Sequence, residues 1–266
     1  MYLIKQAVRK VFPEQLYQKM AYYKMLWKMR AFKKQYPQTK LFDDILNKEK
    51  KAHHYSQYNQ DFIVYSNFFS DQKAGFFCDV GANHPLKINN TRYFEEQGWD
   101  GYAFEPLPHM KALWKQHRKA KFFPYAASDT EGEVTFSIVN SVTGWEDMLS
   151  YVKETATTEY DYITEEITVK TRLLSDVFEE ESITNIDYMS IDVEGHELQV
   201  IKGIDFNKVR INVLTIENNF GGAGEDSYYG DDRIREIMFN NGYELWGRII
   251  GLDDIYVRSD FINQLD

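Results

Sequence analysis

The feature that most constrains the fold is a regular alternation of apolar, strand-like segments with helical segments, which begins near residue 61. Parallel strands need a long crossover, usually a helix, so this alternation is typical of a parallel sheet covered by helices. The last two strand-like segments, 243–250 and 254–258, are separated by Gly251 and predict an antiparallel hairpin at one edge. The sequence therefore predicts a doubly wound, mostly parallel α/β sheet with an antiparallel C-terminal hairpin.

The other predicted elements are short segments bounded by glycine, proline or polar residues. The predicted strands are residues 76–80, 101–104, 122–127, 134–139, 167–171, 186–191 and 211–216. The predicted helices are residues 90–97, 109–119, 173–180, 198–202 and 232–240.

The charge of the chain is divided unevenly along its length. Residues 1–54 contain 13 of the 31 lysines and arginines and 4 of the 41 acidic residues, a net charge of +9, so residues 55–266 carry −19. We predict a basic helical N-terminal extension, residues 1–54, attached to an acidic domain, residues 55–266. Such a domain argues against nucleic-acid binding, which needs a basic face to neutralise phosphates.

The extension contains one long segment without glycine or proline, residues 14–35, which predicts a helix that ends before Pro37. Apolar and basic residues are mixed around much of its circumference. Two interpretations stay open: the helix packs on the acidic domain or on another subunit, or it lies in a membrane interface.

The working compartment is expected to be the cytoplasm, at the inner face of the membrane if the helix binds lipid. The chain has no apolar run of the ~20 residues that a spanning helix needs. Lys5, Arg9 and Lys10 interrupt the apolar core that a signal peptide would have. The single cysteine, Cys78, excludes an internal disulfide framework and a cysteine-cluster metal site.

Polar residues follow the predicted strands, where ligands bind in open parallel sheets. In chain order they are Asp79 with Gly81 and Asn83, Glu105, Ser128 with Asp129, Asp192 with Glu194, and Glu217 with Asn218. One such residue means little, because surface loops are often polar. The recurrence at five strand ends predicts a ligand site along this edge.

The first two strand ends predict an adenosyl ligand. Gly81 permits a tight turn and close approach of the backbone, and Glu105 stands where an acidic residue accepts hydrogen bonds from ribose hydroxyls. The loop has one glycine rather than the three of the dinucleotide fingerprint, which disfavours a pyrophosphate. S-adenosylmethionine fits better, since its sulfonium and ammonium suit an acidic site.

Two long motifs, FCDVGANHPLKINNTRYFEEQGWDGYAFEP and YMSIDVEGHELQVIKGIDF, resemble the FkbM family of S-adenosylmethionine-dependent methyltransferases. YSQYNQDFIV and YELWGRIIGLDDIYVR also look like parts of that pattern, so the resemblance covers roughly residues 55–258. It implies a class I, Rossmann-like methyltransferase that acts on hydroxyl groups of sugars or natural products.

The resemblance also implies roles for individual residues. Glu105 would hold the ribose, and Ser128 with Asp129 would lie by the adenine amino group. Gln60 and Asp61 would close over the methionine end, although capping of a helix explains them equally well. The cofactor pocket implied in this way consists of Gln60, Asp61, Asp79, Gly81, Asn83, Glu105, Ser128 and Asp129.

Asp192, Glu217 and Asn218 supply oxygen ligands from adjacent strand ends, which suits a hard cation such as Mg²⁺ or Mn²⁺. The arrangement resembles that of catechol O-methyltransferase. A bound metal would lower the pKa of a substrate hydroxyl and orient its oxygen. The alternative is that the acidic residues contact substrate or cap loops.

The predicted catalytic residues are His196, Asp192 and Glu194. Among them, His196 and Glu194 are the candidate bases for the attacking hydroxyl. Histidine suits this work because its ordinary pKa is near ~6.5, and Glu194 would orient it or act as the base itself. His84 is expected to form pocket wall or to contact substrate. Two segments, 140–164 and 219–232, are expected to read the substrate, with Trp145, Tyr228 and Tyr229 stacking on a sugar ring.

These observations predict an O-methyltransferase for a sugar hydroxyl, on a nucleotide-activated sugar or a surface-glycan precursor. The glycan part rests on the family resemblance alone. A lipid-linked glycan at the membrane is an alternative acceptor. A binding module that retains the cofactor fold without catalysis is an alternative of another class.

Overall fold

The computed structural model describes residues 27, 30–42, 55–139, 149–155, 164–218, 230–249 and 252–264. Its chain divides into two compact units, residues 1–39 and 40–266. In the described part of the first unit, residue 27 and residues 30–35 are helical and a turn follows at Pro37, where the sequence predicts the helix to end. None of the described helices is long and apolar enough to cross a membrane.

The second unit contains the described strands and the helices between them. The strands are β1 (Lys40–Phe42), β2 (Phe76–Val80), β3 (Asp100–Phe104), β4 (Lys121–Phe123), β5 (Ala126–Ala127), β6 (Gly132–Val139), β7 (Tyr151–Val152), β8 (Thr164–Arg172), β9 (Asn185–Ile191), β10 (Arg210–Glu217), β11 (Tyr243–Ile249) and β12 (Asp253–Arg258). The helices are α1 (Gln60–Val64), which continues into a π-helical turn (Tyr65–Phe69), α2 (Arg92–Glu96), α3 (Met110–His117), α4 (Leu174–Glu180), α5 (Glu197–Lys202), α6 (Asp232–Asn240) and α7 (Ser259–Ile262).

Eight of these strands form the main sheet, in the order β1-β11-β12-β10-β9-β2-β3-β4. From β10 to β4 all neighbours are parallel, whereas β12 is antiparallel to both strands beside it. A large, mostly parallel sheet with intervening helices confirms the predicted Rossmann-like α/β class.

The C-terminal hairpin lies inside the sheet, and its predicted place at the edge is wrong. β12 is inserted between β10 and β11, and β1 pairs with the far side of β11. The edge strand is therefore β1, which falls within the residues that the sequence assigned to the N-terminal extension.

The predicted strand 122–127 is two strands in two sheets. β4 belongs to the main sheet, whereas β5 joins a second sheet in the order β5-β8-β6-β7. Pro124 stands between them and has no N–H to donate to a ladder. Ser128 therefore follows β5 of the small sheet and not the third parallel strand.

An aromatic core fixes the central strands against α1, the π-helical turn and α2. Tyr188 of β9 stacks on Phe94 of α2 with ring centroids 4.5 Å apart, and Phe94 meets Trp99 edge-on at 5.0 Å. All three side chains are almost fully buried. Such contacts contribute roughly 0.5–1.5 kcal/mol per pair beyond burial, and they hold strands whose carboxyl ends form the candidate site.

Candidate active site

The carboxyl ends of the parallel strands lie level with one another. Val80 at the end of β2 pairs with Phe104 of β3 and with Ile191 of β9. Ile191 in turn pairs with Ile216 of β10. The polar residues predicted after β2, β3, β9 and β10 are therefore neighbours along one edge of the sheet.

The turn at Gly81 strongly favours glycine. Its φ of 81° lies in the left-handed region, and a Cβ there would lie 1.7 Å from the backbone oxygen of Asp192. The backbone N–H groups of Gly81 and Ala82 both donate to the carbonyl of Phe104, at 3.0 and 3.1 Å. The glycine thus brings the ends of β2, β3 and β9 into contact.

Glu105 presents a buried carboxylate beside this turn. Its Oε2 accepts a hydrogen bond from the backbone N–H of Asn83 at 2.9 Å, and its Oε1 accepts one from Leu107 N at 2.8 Å. These two backbone donors fix the orientation of the carboxylate. Glu105 is therefore held by the backbone in a position suited to accepting hydroxyl groups.

An open recess lies beside Glu105. One wall is polar and includes Gly81, Asn83 and Asp192. The rest is mainly apolar and comes from both sheets: Val80, Phe104, Pro106, Leu107, Tyr125, Ala126, Ala127, Phe136 and Val152. This recess is suited to a flat ring beside a sugar.

Ser128 and Asp129, which the sequence predicts to lie by the adenine, are not among the residues that line this cavity. The hydroxyl of Ser128 is hydrogen-bonded to His196 Nε2 at 3.0 Å. The corresponding wall is formed by Tyr125, Ala126 and Ala127. The difference arises because the chain changes sheets at Pro124.

A second cavity also borders Gly81 and shares Gly81, Asn83, Asp192 and Glu194 with the first. Its further lining residues are Gln57, Asp79, Ala82, Ile88, Asn89 and Asn90. Asp79 Oδ2 accepts hydrogen bonds from Thr91 Oγ1 at 2.6 Å and from Asn89 Nδ2 at 3.2 Å. Asp79 therefore supports the loop that forms this cavity, and burial raises its pKa.

Gln60 and Asp61 are both held by contacts within the protein. Asp61 accepts hydrogen bonds from Tyr55 N at 2.8 Å and from the hydroxyl of Ser56. Gln60 Nε2 donates to Asp253 Oδ2 at 2.7 Å. Both side chains are buried and neither lines the two cavities.

Three carboxylates meet at the junction of β9 and β10. Asp192, Glu194 and Glu217 each offer a ligand atom, and these atoms lie within 4.8 Å of one another. The predicted pair Asp192 and Glu217 is thus brought together. We call Asp192, Glu194 and Glu217 the carboxylate cluster.

Asn218, the third predicted ligand, is used elsewhere. Its Oδ1 accepts the backbone N–H of Asp231 at 2.5 Å, and its Nδ2 donates to Asp254 Oδ2 at 2.8 Å. Glu194 joins Asp192 and Glu217, and its φ of 53° is a left-handed backbone turn that the sequence does not reveal.

The carboxylate cluster has a strong excess of negative charge. Burial and mutual repulsion raise the pKa of Asp192 and of Glu217 well above the ordinary range. Burial, then repulsion by Glu197, raises the pKa of Glu194 to about 8. Burial raises the pKa of Glu197 to about 7 and that of Asp253 to about 6. Glu197 and Asp253 were missed by the sequence analysis because neither directly follows a predicted parallel strand.

His196 is a neutral histidine held between two hydroxyl groups. Its Nδ1 is hydrogen-bonded to Thr155 Oγ1 at 2.8 Å and its Nε2 to Ser128. Burial lowers its pKa to about 4. A base works best with a pKa near the working pH, so this environment is less suited to a base than the sequence suggests.

His84 has a local role in the structure. Its Nδ1 accepts the backbone N–H groups of Leu86 at 3.1 Å and Lys87 at 3.2 Å. It stabilises its own turn and lines neither cavity beside Gly81. Trp145, Tyr228 and Tyr229 lie outside the described residues.

A third, polar cavity of about 650 Å³ opens on the carboxylate cluster from the side of β10. Glu217, Glu197 and Gly195 form the part nearest the cluster. The remaining lining residues come from the end of β7, from α5 and from the start of α6: Glu154, Thr155, Leu198, Gln199, Asn218, Asp231, Arg233 and Ile234.

A buried ionic network stands behind this cavity. Asp254 Oδ2 accepts hydrogen bonds from Arg235 Nε at 2.9 Å and from Tyr256 OH at 3.0 Å, and Arg248 NH1 pairs with Asp254 Oδ1. Arg248 NH2 also donates to the carbonyl of Asn218 at 3.0 Å. This network fixes the backbone directly after Glu217. The sequence gives no sign of it beyond polar residues in a strand.

Comparison with known proteins places this geometry in a family. Residues 79–245 match the sequence profile of the Methyltransferase FkbM domain, which is more than half of the chain. No curated protein matches the sequence.

Proposed function

Because the chain belongs to the FkbM methyltransferase family, we propose that it transfers a methyl group from S-adenosylmethionine to a hydroxyl of a sugar, on a nucleotide-activated sugar or a surface-glycan precursor. The observation that carries the proposal is the pair of cavities that meet at Gly81. One is apolar and lies beside Glu105, and the other is polar and lies beside Asp79. A ligand with a flat ring, a ribose and a charged tail would fill both.

Three properties of these cavities fit S-adenosylmethionine. The two cavities share the turn at Gly81, so one ligand can extend from one cavity into the other. The Glu105 carboxylate is fixed by two backbone donors and suits a ribose. Asp192 and Glu194 line both cavities and suit a cationic sulfonium and ammonium. When bound, S-adenosylmethionine supplies an electrophilic methyl group.

The third cavity is the proposed acceptor site. Glu217 lines it, whereas the cavity of Glu105 is bordered by Asp192 and Glu194 of the same cluster. The residues that line it align a hydroxyl with the reacting carbon, which is the main demand of an in-line displacement. Glu154, Glu197 and Asp231 line the same cavity and offer acceptors for the remaining hydroxyls of a sugar.

The proton of the attacking hydroxyl goes to an oxygen of the carboxylate cluster in this proposal. Glu194 is better suited than His196, because the ring nitrogens of His196 are bonded to Thr155 and Ser128. Asp192, Glu194 and Glu217 would alternatively hold Mg²⁺ or Mn²⁺, which supplies positive charge to the ionising hydroxyl. The mutual repulsion of these side chains supports binding of a cation.

Isothermal titration calorimetry with S-adenosylhomocysteine tests the cofactor assignment. We expect binding by the wild type, and a loss of about 10-fold or more in affinity for Glu105→Ala, because hydrogen bonds to a charged group are lost. Glu131→Ala, at an exposed position, is the control. Absence of binding to the wild type would refute the proposal.

A methyl-transfer screen tests the acceptor class. It compares nucleotide sugars with the same sugars without phosphate, because the acidic cavities repel phosphates unless a metal ion or a basic side chain intervenes. Transfer to the sugar hydroxyl supports the proposal. Cofactor binding without transfer to any sugar would favour a non-catalytic binding module.

Metal assistance has its own test. Turnover should fall with EDTA and return with Mg²⁺ or Mn²⁺, and Glu217→Gln should abolish the response. If turnover of a metal-free preparation is insensitive to EDTA, the carboxylate cluster acts as a base and does not hold a catalytic metal ion.

A lipid-linked glycan is the second proposed acceptor, and the +9 charge of residues 1–54 supports it. Flotation with anionic and with neutral vesicles tests this alternative, using the full chain and a chain without residues 1–39. Selective flotation of the full chain with anionic vesicles is expected if it holds. Equal behaviour of both chains would remove it.

A further inference from the structure

Gln57 borders the cavity beside Asp79, although it lies outside residues 79–245, which match the family. We propose that the side-chain amide of Gln57 binds the carboxylate of the methionine portion of S-adenosylmethionine. The proposal rests on the proposed function, since it assigns one end of the same ligand.

The cavity beside Asp79 has the polarity that a zwitterion needs. Three of its lining residues are acidic, namely Asp79, Asp192 and Glu194. Four others carry amides: Gln57, Asn83, Asn89 and Asn90. An amino acid presents an ammonium, which suits the acids, and a carboxylate, which needs donors. None of the cavity's described lining residues is lysine or arginine, so side-chain donation to the carboxylate falls to the amides.

Two of the other amides already donate to the protein. Asn89 Nδ2 donates to Asp79 Oδ2 and to the carbonyl of Ala82, at 3.2 and 3.1 Å. Asn90 Nδ2 donates to Ser190 Oγ at 3.0 Å. Gln57, by contrast, is exposed to solvent at the cavity. Its amide can therefore turn toward a ligand in this cavity without giving up any of these donations.

The backbone of Gln57 is held in place by its neighbours. The carbonyl of Tyr55 accepts the N–H of Asn89 at 3.2 Å. The guanidinium of Arg92 lies 3.7 Å from the centre of the Tyr55 ring, and Asp61 accepts the N–H of Tyr55. These contacts join the segment before α1 to the loop that lines the cavity. A substitution of Gln57 should therefore leave both in place.

The test compares two ligands by isothermal titration calorimetry. S-adenosylhomocysteine has the amino acid portion, and 5′-methylthioadenosine has the adenosine but lacks that portion. We expect Gln57→Ala to lower the affinity for S-adenosylhomocysteine by about 10-fold, as loss of a hydrogen bond to a charged group would. Gln57→Glu should lower it further, since it opposes two carboxylates. Neither substitution should change the affinity for 5′-methylthioadenosine.

Gln97→Glu is the matched control, because Gln97 is exposed and lines none of the three cavities. It should bind both ligands as the wild type does. Unchanged affinity of both Gln57 variants for S-adenosylhomocysteine would overturn the inference and leave the proposed function intact. Equal losses for both ligands would also overturn it. A wild type that binds neither ligand would refute the proposed function itself.

Discussion

Asp253 and Asp254 are neighbours on β12 and meet opposite electrostatic environments. Both are buried. Asp254 is surrounded by the guanidinium groups of Arg235 and Arg248, which hold its pKa below the ordinary value against the effect of burial. Asp253 faces the carboxylate cluster, and burial raises its pKa to about 6 although Gln60 donates to it.

The difference separates a region whose buried charges are neutralised within the protein from one whose buried carboxylates are not. The network of Asp254 supplies its own countercharges, so it stabilises the fold without a ligand. Around Asp253 the carboxylates of Asp192 and Glu217 are repelled by one another and by Asp253, and Arg248 offsets only part of the effect of burial on Asp253, so a bound cation would add countercharge there. A buried charged group is usually paired within the protein. The insufficiently paired carboxylates around Asp253 therefore indicate a ligand.

The largest expected effect on the free energy of unfolding comes from a substitution of Asp254. Asp254→Ala leaves two buried guanidinium groups without their shared carboxylate, which should cost about 3–5 kcal/mol of unfolding free energy. Urea denaturation measures it. Asp232→Ala is the control, because Asp232 also pairs with Arg235 but its side chain is 69% exposed, and it should cost about 1 kcal/mol or less. Similar losses of unfolding free energy for both variants would contradict a special role of the buried carboxylate of Asp254.

The neighbouring substitution should have the opposite sign. Asp253→Asn retains an acceptor for Gln60 but removes a carboxylate whose pKa is raised to about 6. A raised pKa means that the folded state binds the proton more tightly, so the wild type loses stability as the pH rises from about 4 to 6. Above that window the variant should be more stable by about 2–3 kcal/mol. Urea denaturation of both proteins at pH 4 and pH 8 measures the change, and a variant less stable at pH 8 would refute it.

Gly81→Ala tests whether the ligand site beside the carboxylate cluster depends on the close contact of the strand ends at Gly81. A positive φ and a Cβ 1.7 Å from Asp192 O require the strand ends to separate, which should cost about 1–3 kcal/mol. Affinity for S-adenosylhomocysteine should fall as well. Gly242→Ala is the control, since Gly242 also has a positive φ but its Cβ would meet nothing within 4 Å. Equal binding by both variants would argue against a role for Gly81 in the ligand site.

The smallest expected effect is stabilisation by a divalent cation. Mg²⁺ or Mn²⁺ at ten times its dissociation constant should raise the unfolding free energy by about 1.4 kcal/mol. Thermal unfolding with increasing metal concentration detects it. Glu217→Gln should lose the response, whereas Glu133→Gln, at an exposed position of β6, should keep it. A response that survives Glu217→Gln would place the ion elsewhere.

The main sheet was predictable because apolar segments and their breaks determine strand number and type. The prediction for β2 has the bounds of the strand itself, and α6 likewise. Pro124 shows the limit: its missing N–H was visible, but the second sheet that receives β5 is formed by distant strands. The place of β12 depends in the same way on pairing between segments far apart in sequence.

The site was predictable to the level of strand ends and not to the direction of side chains. Asp192 and Glu217 come together because the ends of their strands are level. Glu194 joins them, and Asn218 does not, because a left-handed backbone turns one residue and a buried network holds the other. Asp253 and Asp254 are adjacent aspartates that the sequence does not distinguish. Successive side chains of a strand point to opposite faces of the sheet, so Asp253 meets carboxylates and Asp254 meets guanidinium groups.

The short strand β1 covers the outer edge of β11. It covers β11 with three residues, and the ammonium of Lys40 lies 4.2 Å from the ring centre of Trp246 on that strand. A strand edge with unpaired N–H and carbonyl groups is a template for association with another chain. Removing residues 1–54 as a basic appendage would strip this cover, whereas removing residues 1–39 would retain it. Aggregation of the shorter protein would then reflect a bared edge and not the loss of positive charge.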